Sequence, residues 1–207
     1  MCSSDLRPLT AGSIRLGDVD ITGWSVADIR DAGVAYIPED RHEQGLVLDM
    51  TVWENAILGR HDDPGYLGLG GLVLLIGKIK ELAQRLIQRF DVRTRTINVT
   101  AGTLSGGNQQ KLILARELDT DPKLLIASQP TRGLDVGAIE FVWRQILAQK
   151  EAGRAVLLIS AELDEIYALA DRIVTLYEGQ LTGEYPPDAE PEEIGVGMLG
   201  GRLEAAS

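Results

Sequence analysis

Three short apolar runs separated by helical stretches constrain this chain more than anything else in it. They are Lys123-Leu124-Leu125-Ile126-Ala127, Ala155-Val156-Leu157-Leu158-Ile159-Ser160 and Arg172-Ile173-Val174-Thr175-Leu176. Each is too short for a core helix and too continuously apolar for a strand with one wet face, the pattern of strands in a buried parallel sheet. Helices are predicted between them, from about Val136 to Lys150 and from Glu162 to about Ala170. This alternation predicts an α/β fold, with a mostly parallel sheet and helices on both of its faces. Upstream, Ile14–Leu16 and Val19–Ile21 flank Gly17-Asp18 as a small antiparallel unit, Val26–Ala32 reads as a short helix, and Val34–Ile37 reads as a further strand. Residues from about 50 to 117 read as a mostly helical insert containing the amphipathic helix Lys78–Phe90.

The segment with the clearest chemistry is Leu104-Ser105-Gly106-Gly107-Asn108-Gln109-Gln110-Lys111. Ser105 is a good N-cap, because its hydroxyl can accept from an early helical N–H. Gly106 and Gly107 leave the backbone open to a ligand. A helix running on through Lys111, Leu112 and Arg116 would turn its free N–H groups and its positive dipole end toward a phosphate. The loop Ser128-Gln129-Pro130-Thr131-Arg132-Gly133-Leu134-Asp135 follows the first apolar run, with Pro and Gly as punctuation.

On these motifs the chain resembles the nucleotide-binding domain of an ABC transporter, and within that family the second, C-terminal domain of nucleoside and simple-sugar importers. The likeness runs from about Gly12 to Tyr185. Leu104 to Lys111 resembles the signature motif, so Leu104, Ser105, Gly106, Gly107, Asn108 and Gln109 are the implied ATP-binding residues, acting in trans. Gly133-Leu134-Asp135 resembles the D-loop. Tyr36-Ile37-Pro38-Glu39-Asp40-Arg41 resembles this branch's Q-loop, with Glu39 at the Gln position. The implied fold is that of a P-loop NTPase-like ABC domain with a helical subdomain at about 50–117. Residues 8–185 would form a partial domain, and 186–207 a Pro- and Glu-rich linker and tail that ends the folded part.

The departures from the family pattern carry as much weight. No Gly-x-x-x-x-Gly-Lys-Ser/Thr occurs; in Gly71 to Gly77-Lys78 the spacing is a residue too long, and Ile79 replaces the hydroxyl. That stretch is expected to be a flexible turn. The likeness begins just past the place where the first strand and phosphate loop would stand, so the resemblance implies an N-terminally truncated domain. Where an active member has an Asp for magnesium and a Glu for water, this chain has Ser128 and Gln129. A serine brings no charge to a hard cation, and an amide takes no proton. Ala161 stands at the switch-histidine position.

The resemblance therefore implies a non-catalytic half that does not hydrolyse ATP alone. It would supply its signature to an ATP and Mg2+ held mainly by a partner ABC domain. The further implied partners are transmembrane permease subunits, docked against Glu39, Asp40, Arg41 and Leu46–Trp53, and indirectly a substrate-binding protein. The implied place is the cytoplasmic face of the membrane. The alternative is a nucleotide-independent interaction or regulatory module derived from such a domain.

Composition agrees with these readings. A 207-residue chain that is 44% hydrophobic can bury a substantial core. Twenty basic against 31 acidic residues argue against nucleic acid as a partner. Cys2 has no second cysteine to pair with. His42 and His61 lack neighbours at metal-ligand spacing, and no metal site is assigned to them. Gly195-Val196-Gly197-Met198-Leu199-Gly200 matches a dinucleotide fingerprint only in letters, because no strand precedes it.

Overall fold

The computed structural model describes residues 9–201. Cys2 and the end of the tail lie outside the described residues. In chain order the elements are β1 (Arg15–Leu16), β2 (Val19–Asp20), α1 (Val26–Asp31), β3 (Val34–Ile37), α2 (Val52–Ile57), β4 (Leu67–Gly68), β5 (Val73–Leu74) and α3 (Ile76–Arg89). They continue with α4 (Gly106–Leu118), β6 (Leu124–Ser128), α5 (Val136–Glu151), β7 (Ala155–Ile159), α6 (Leu163–Leu169), β8 (Ile173–Tyr177), β9 (Gln180–Tyr185) and α7 (Pro191–Met198).

β3, β6 and β7 form a parallel sheet in the order β3-β6-β7. The register stacks Ala35, Leu125 and Val156 in one row and Ile37, Ala127 and Leu158 in the next. Period-2 alternation puts both rows on one face. That face packs into the main core with Leu112 and Ile113 of α4 and Val142 and Ile146 of α5. On the opposite face Tyr36, Leu157 and Ile159 are exposed at 43%, 51% and 49%. The α/β class, a parallel sheet packed with helices, is as the alternation implied. The third apolar run departs from expectation. As β8 it pairs antiparallel with β9 in a separate two-stranded sheet.

α4 is the centre of the molecule. Leu112, Ile113, Leu114 and Ala115 are all fully buried, which four consecutive helical residues can be only with neighbours all round. α2, α3, β3 and α5 all pack against α4. α3 is one-sided by contrast: Ile79, Leu82, Ala83 and Leu86 repeat at helical spacing and are its buried residues. It starts at Ile76, earlier than Lys78. The flexible turn expected before it is partly ordered as the β4–β5 hairpin.

Asn55 fixes the approach to α2. Its Oδ1 accepts from Val47 N at 2.9 Å, while its Nδ2 donates to the carbonyls of Val47 at 2.9 Å and Thr51 at 3.0 Å, all with the side chain fully buried. Asn55→Ala would strand the Val47 N–H and is expected to cost about 1–3 kcal/mol in urea unfolding. A loss under about 0.5 kcal/mol would show that the loop re-satisfies itself.

The folded part does not end at the linker. Beyond it α7 buries Ile194, which joins Ile173, Tyr185 and Ala189 in a second small core. An apolar helix face cannot stay solvated when a hairpin offers cover. Gly197 lies against that hairpin: a Cβ there would overlap Tyr185 Oη, and the Gly197 carbonyl accepts from Thr182 Oγ1 at 2.7 Å. Close helix–strand approach is thus the physical use of the central glycine in Gly195–Gly200.

Candidate functional site

The site residues gather where β3 and β6 run out at their C-terminal ends and α4 begins. Ser105 caps α4, its Oγ accepting from Asn108 N at 3.4 Å and from Asn108 Nδ2 at 2.8 Å. With both lone pairs taken, the Ser105 O–H is left to donate outward. Asn108 Oδ1 in turn accepts from Arg93 N at 2.7 Å. A cleft of about 460 Å³ opens at this corner, lined by Arg93, Arg95, Thr103, Leu104, Ser105 and Asn108 among others.

The two glycines here sit close to their neighbours. A Cβ on Gly106 would sit 3.2 Å from Arg41 Nη2, and one on Gly107 would sit 3.1 Å from Ala138 Cβ and 3.6 Å from Asp135 Oδ2. Asp135 caps α5 through Ala138 N at 2.9 Å, so the starts of α4 and α5 lie side by side. Gly133 has φ 68°, a left-handed conformation that favours glycine. The Arg41 Nε is buried without a hydrogen-bond partner. Free N–H groups at the start of α4 and the remaining Ser105 O–H are donors a phosphate would use.

The loop after β6 is held residue by residue. Gln129 N donates to Ile159 O at 2.8 Å, and Gln110 Nε2 donates to Pro130 O at 2.8 Å. Thr131 Oγ1 donates to Glu165 Oε1 at 2.8 Å, and Arg41 Nη1 donates to Arg132 O at 2.9 Å. Arg132 also pairs with Glu39. Glu39, at the end of β3, is therefore tied to the segment that carries Gly133, Leu134 and Asp135. Gln109 is buried, with Oε1 2.9 Å from His42 Nε2 and Nε2 donating to Ala101 O at 3.3 Å.

Ser128, Gln129 and Ala161 form the other locus. Gln129 has φ 47°, and its Oε1 accepts from Ala161 N at 3.4 Å. These positions carry no carboxylate and no imidazole, so they do not fit a magnesium ion. Among the described residues, no group of three or more His, Cys, Asp or Glu could hold a metal.

Lys111, one turn beyond the glycines, donates to Asp91 Oδ2 at 2.8 Å and lies 4.5 Å from the centre of the Phe141 ring. The Lys111 hydrogen bond, then its charge, holds the Asp91 carboxyl below its ordinary value. A depressed carboxylate contributes stability that is present above its unfolded pKa and is lost as pH falls through the folded one. Carbon-detected NMR titration is expected to place the Asp91 midpoint below 3.8, the ordinary value. Lys111→Met should raise that midpoint, and an unmoved midpoint would contradict the pairing.

Sequence spacing does not single out Arg41, Gln110, Thr131 and Glu165 as holding this loop, although Arg41 belongs to the segment that resembles the Q-loop. Their partners stand tens of residues away, so spacing carries no signal for them.

The profile of the ABC transporter family matches residues 1–132. The chain is 46% identical over 199 residues to the nucleoside import ATP-binding protein NupA of Lactococcus lactis subsp. cremoris, covering 96% of this chain and 39% of that protein. It is 45% identical over 201 residues to the glucose import ATP-binding protein TsgD13 of Haloferax volcanii, covering 95% of this chain and 36% of that one. The chain thus spans under two fifths of the length of these curated relatives. In fold it is similar to the dimeric ATP-binding cassette MJ0796 bound to ADP and Pi, with TM-score 0.70 and 20% identity, covering 87% of this chain and 75% of that chain.

Proposed function

This chain belongs to the ABC transporter family, and we propose that it is the non-catalytic ATP-binding half of an importer, completing an ATP site held mainly by a partner ABC domain. The observation that carries this reading is a pairing of opposites in one molecule. The start of α4 has the outward donors and glycine-lined space for a phosphate. The end of β6 has Ser128 and Gln129 where hydrolysis would need carboxylates.

In this reading the Ser105 O–H and the Gly106 and Gly107 N–H groups are presented to the terminal phosphate of the partner's ATP, with Asn108 holding the Ser105 hydroxyl. Such donors stabilise developing negative charge without supplying a base. Leu104 and Gln109 anchor the helix start in the core. Gly133, Leu134 and Asp135 lie at the face shared by the two domains. Glu39 replaces the usual amide and, through Arg132, connects the docking side to that face. Ser128, Gln129 and Ala161 mark a degenerate site in which this chain hydrolyses nothing by itself.

The segment Glu39–Arg41 with Leu46–Trp53 is the proposed seat of a permease subunit, with a substrate-binding protein reached only through that permease. No helix among the described residues is long and apolar enough to cross a membrane. A place at the cytoplasmic membrane face would therefore come through the permease. We assign residues 8–185 to the ABC unit, with its helical part at about 50–117, as the second domain of a tandem protein. The cargo is a nucleoside or a simple sugar. Relatives named for nucleoside and for glucose import stand at 46% and 45% identity, so identity does not separate the two.

The test is Gly106→Asp in the assembled transporter, read as ATP turnover and cargo uptake. Unchanged rates would end the proposal.

A further inference from the structure

Glu165 is a carboxylate with an unusual environment. It is 1% exposed, on α6. Its Oε1 accepts two hydrogen bonds, from Thr131 Oγ1 at 2.8 Å and from Trp143 Nε1 of α5 at 3.0 Å. Its Oε2 is buried with no partner, and among the described residues no cation pairs with it. Burying an unpaired carboxylate is costly, and an apolar side chain of similar volume would serve packing better. The group is explained by what it holds.

Thr131 stands midway in the loop, after Ser128-Gln129 and before Gly133-Leu134-Asp135. α6 follows directly on Ala161, whose N–H reaches Gln129 Oε1 at 3.4 Å. Segment 161–165 thus touches the loop at Gln129 and at Thr131. Asp135, at the far end, caps α5 beside Gly107. We propose that Glu165 is a positioning residue. Through Thr131 it fixes the loop so that Asp135 and the start of α4 are presented together to the partner's nucleotide. This rests on the proposed signature role. It adds that the degenerate site retains a mechanical part, passing the state of segment 160–165 to the shared face.

Two substitutions separate positioning from simple stability, because each removes one of the two bonds to the same oxygen. Thr131→Val frees the loop, whereas Trp143→Phe frees only a helix. Hydrogen exchange is read first in the 207-residue chain. In Thr131→Val and Glu165→Ala, the amides of Arg132 and Leu134, bonded to the carbonyls of Gln129 and Thr131 at 3.1 Å each, are expected to exchange about tenfold faster, the scale of one hydrogen bond. Trp143→Phe should leave them unchanged, and Glu165→Gln, which keeps the acceptor, should stay near the parent. Equal loosening by Thr131→Val and Trp143→Phe, or none by either, overturns the positioning role.

ATP turnover of the assembled transporter is read second. Thr131→Val is expected to lower kcat about tenfold at unchanged KM. If Gly106→Asp stops turnover and Thr131→Val does not slow it, the role of Glu165 falls alone. If neither has an effect, the signature reading falls, and this inference falls with it.

Discussion

Gly106→Asp is expected to cut ATP turnover and uptake by the assembled transporter about a hundredfold or more, with little change in the stability of this chain. The two halves of that expectation have different causes. An added Cβ would sit 3.2 Å from Arg41 Nη2, the flexible end of a long side chain that can shift. Gly106 is the first residue of α4, where a carboxylate interacts favourably with the helix dipole and glycine is a poor helix former. Folding should therefore change by under about 1 kcal/mol. The same carboxylate would occupy the space meant for a phosphate and place a negative charge where negative charge must develop. The N–H of residue 106 stays, but a phosphate displaced from even one donor loses stabilisation worth about 10²–10³ in rate, and like-charge repulsion adds to that. Unchanged melting together with lost turnover is the signature of a binding surface. Unchanged turnover would leave the start of α4 as an ordinary capped helix.

Glu117→Ala should be among the most damaging single changes to the fold, at about 3–5 kcal/mol. Glu117 is 1% exposed near the end of α4. Its Oε1 accepts from Arg116 Nε at 2.8 Å, and its Oε2 accepts from Arg30 Nη2 at 3.3 Å. Arg30 can turn to water, with 21% of its side chain exposed, but Arg116 cannot, at 6%. Removing the carboxylate leaves the Arg116 guanidinium buried with only a 3.5 Å contact to Asn55 O. Breaking one side of a buried pair costs far more than replacing both. Glu117→Ala with Arg116→Met is accordingly expected to recover much of the loss in urea midpoint. A single-variant loss below about 1 kcal/mol would mean that water reaches Arg116.

The local half of this protein was legible in its residues. Ser105 followed by two glycines predicts a capped helix start, and capping is a contact three residues long. β6, β7 and α5 were readable because their periodicity is written into consecutive side chains. α3 declared its buried face by i, i+3, i+4 spacing. The all-round burial of α4 was not readable, since Leu112 to Ala115 could equally belong to an exposed apolar patch until α2, α3, β3 and α5 enclose them.

What the sequence determined by itself is the chemistry available: which donors stand at the start of α4, and the absence of a carboxylate at Ser128 and Gln129. The tertiary structure alone decided which residues meet. It put β8 against β9 rather than β7, folded α7 back onto that hairpin, and drew Arg41, Gln110 and Glu165 around one loop. The physical reason is range. Caps, periodicity and turn chemistry act over a few residues, whereas strand partners and buried polar contacts are chosen by which apolar faces must be hidden together once the whole chain has collapsed.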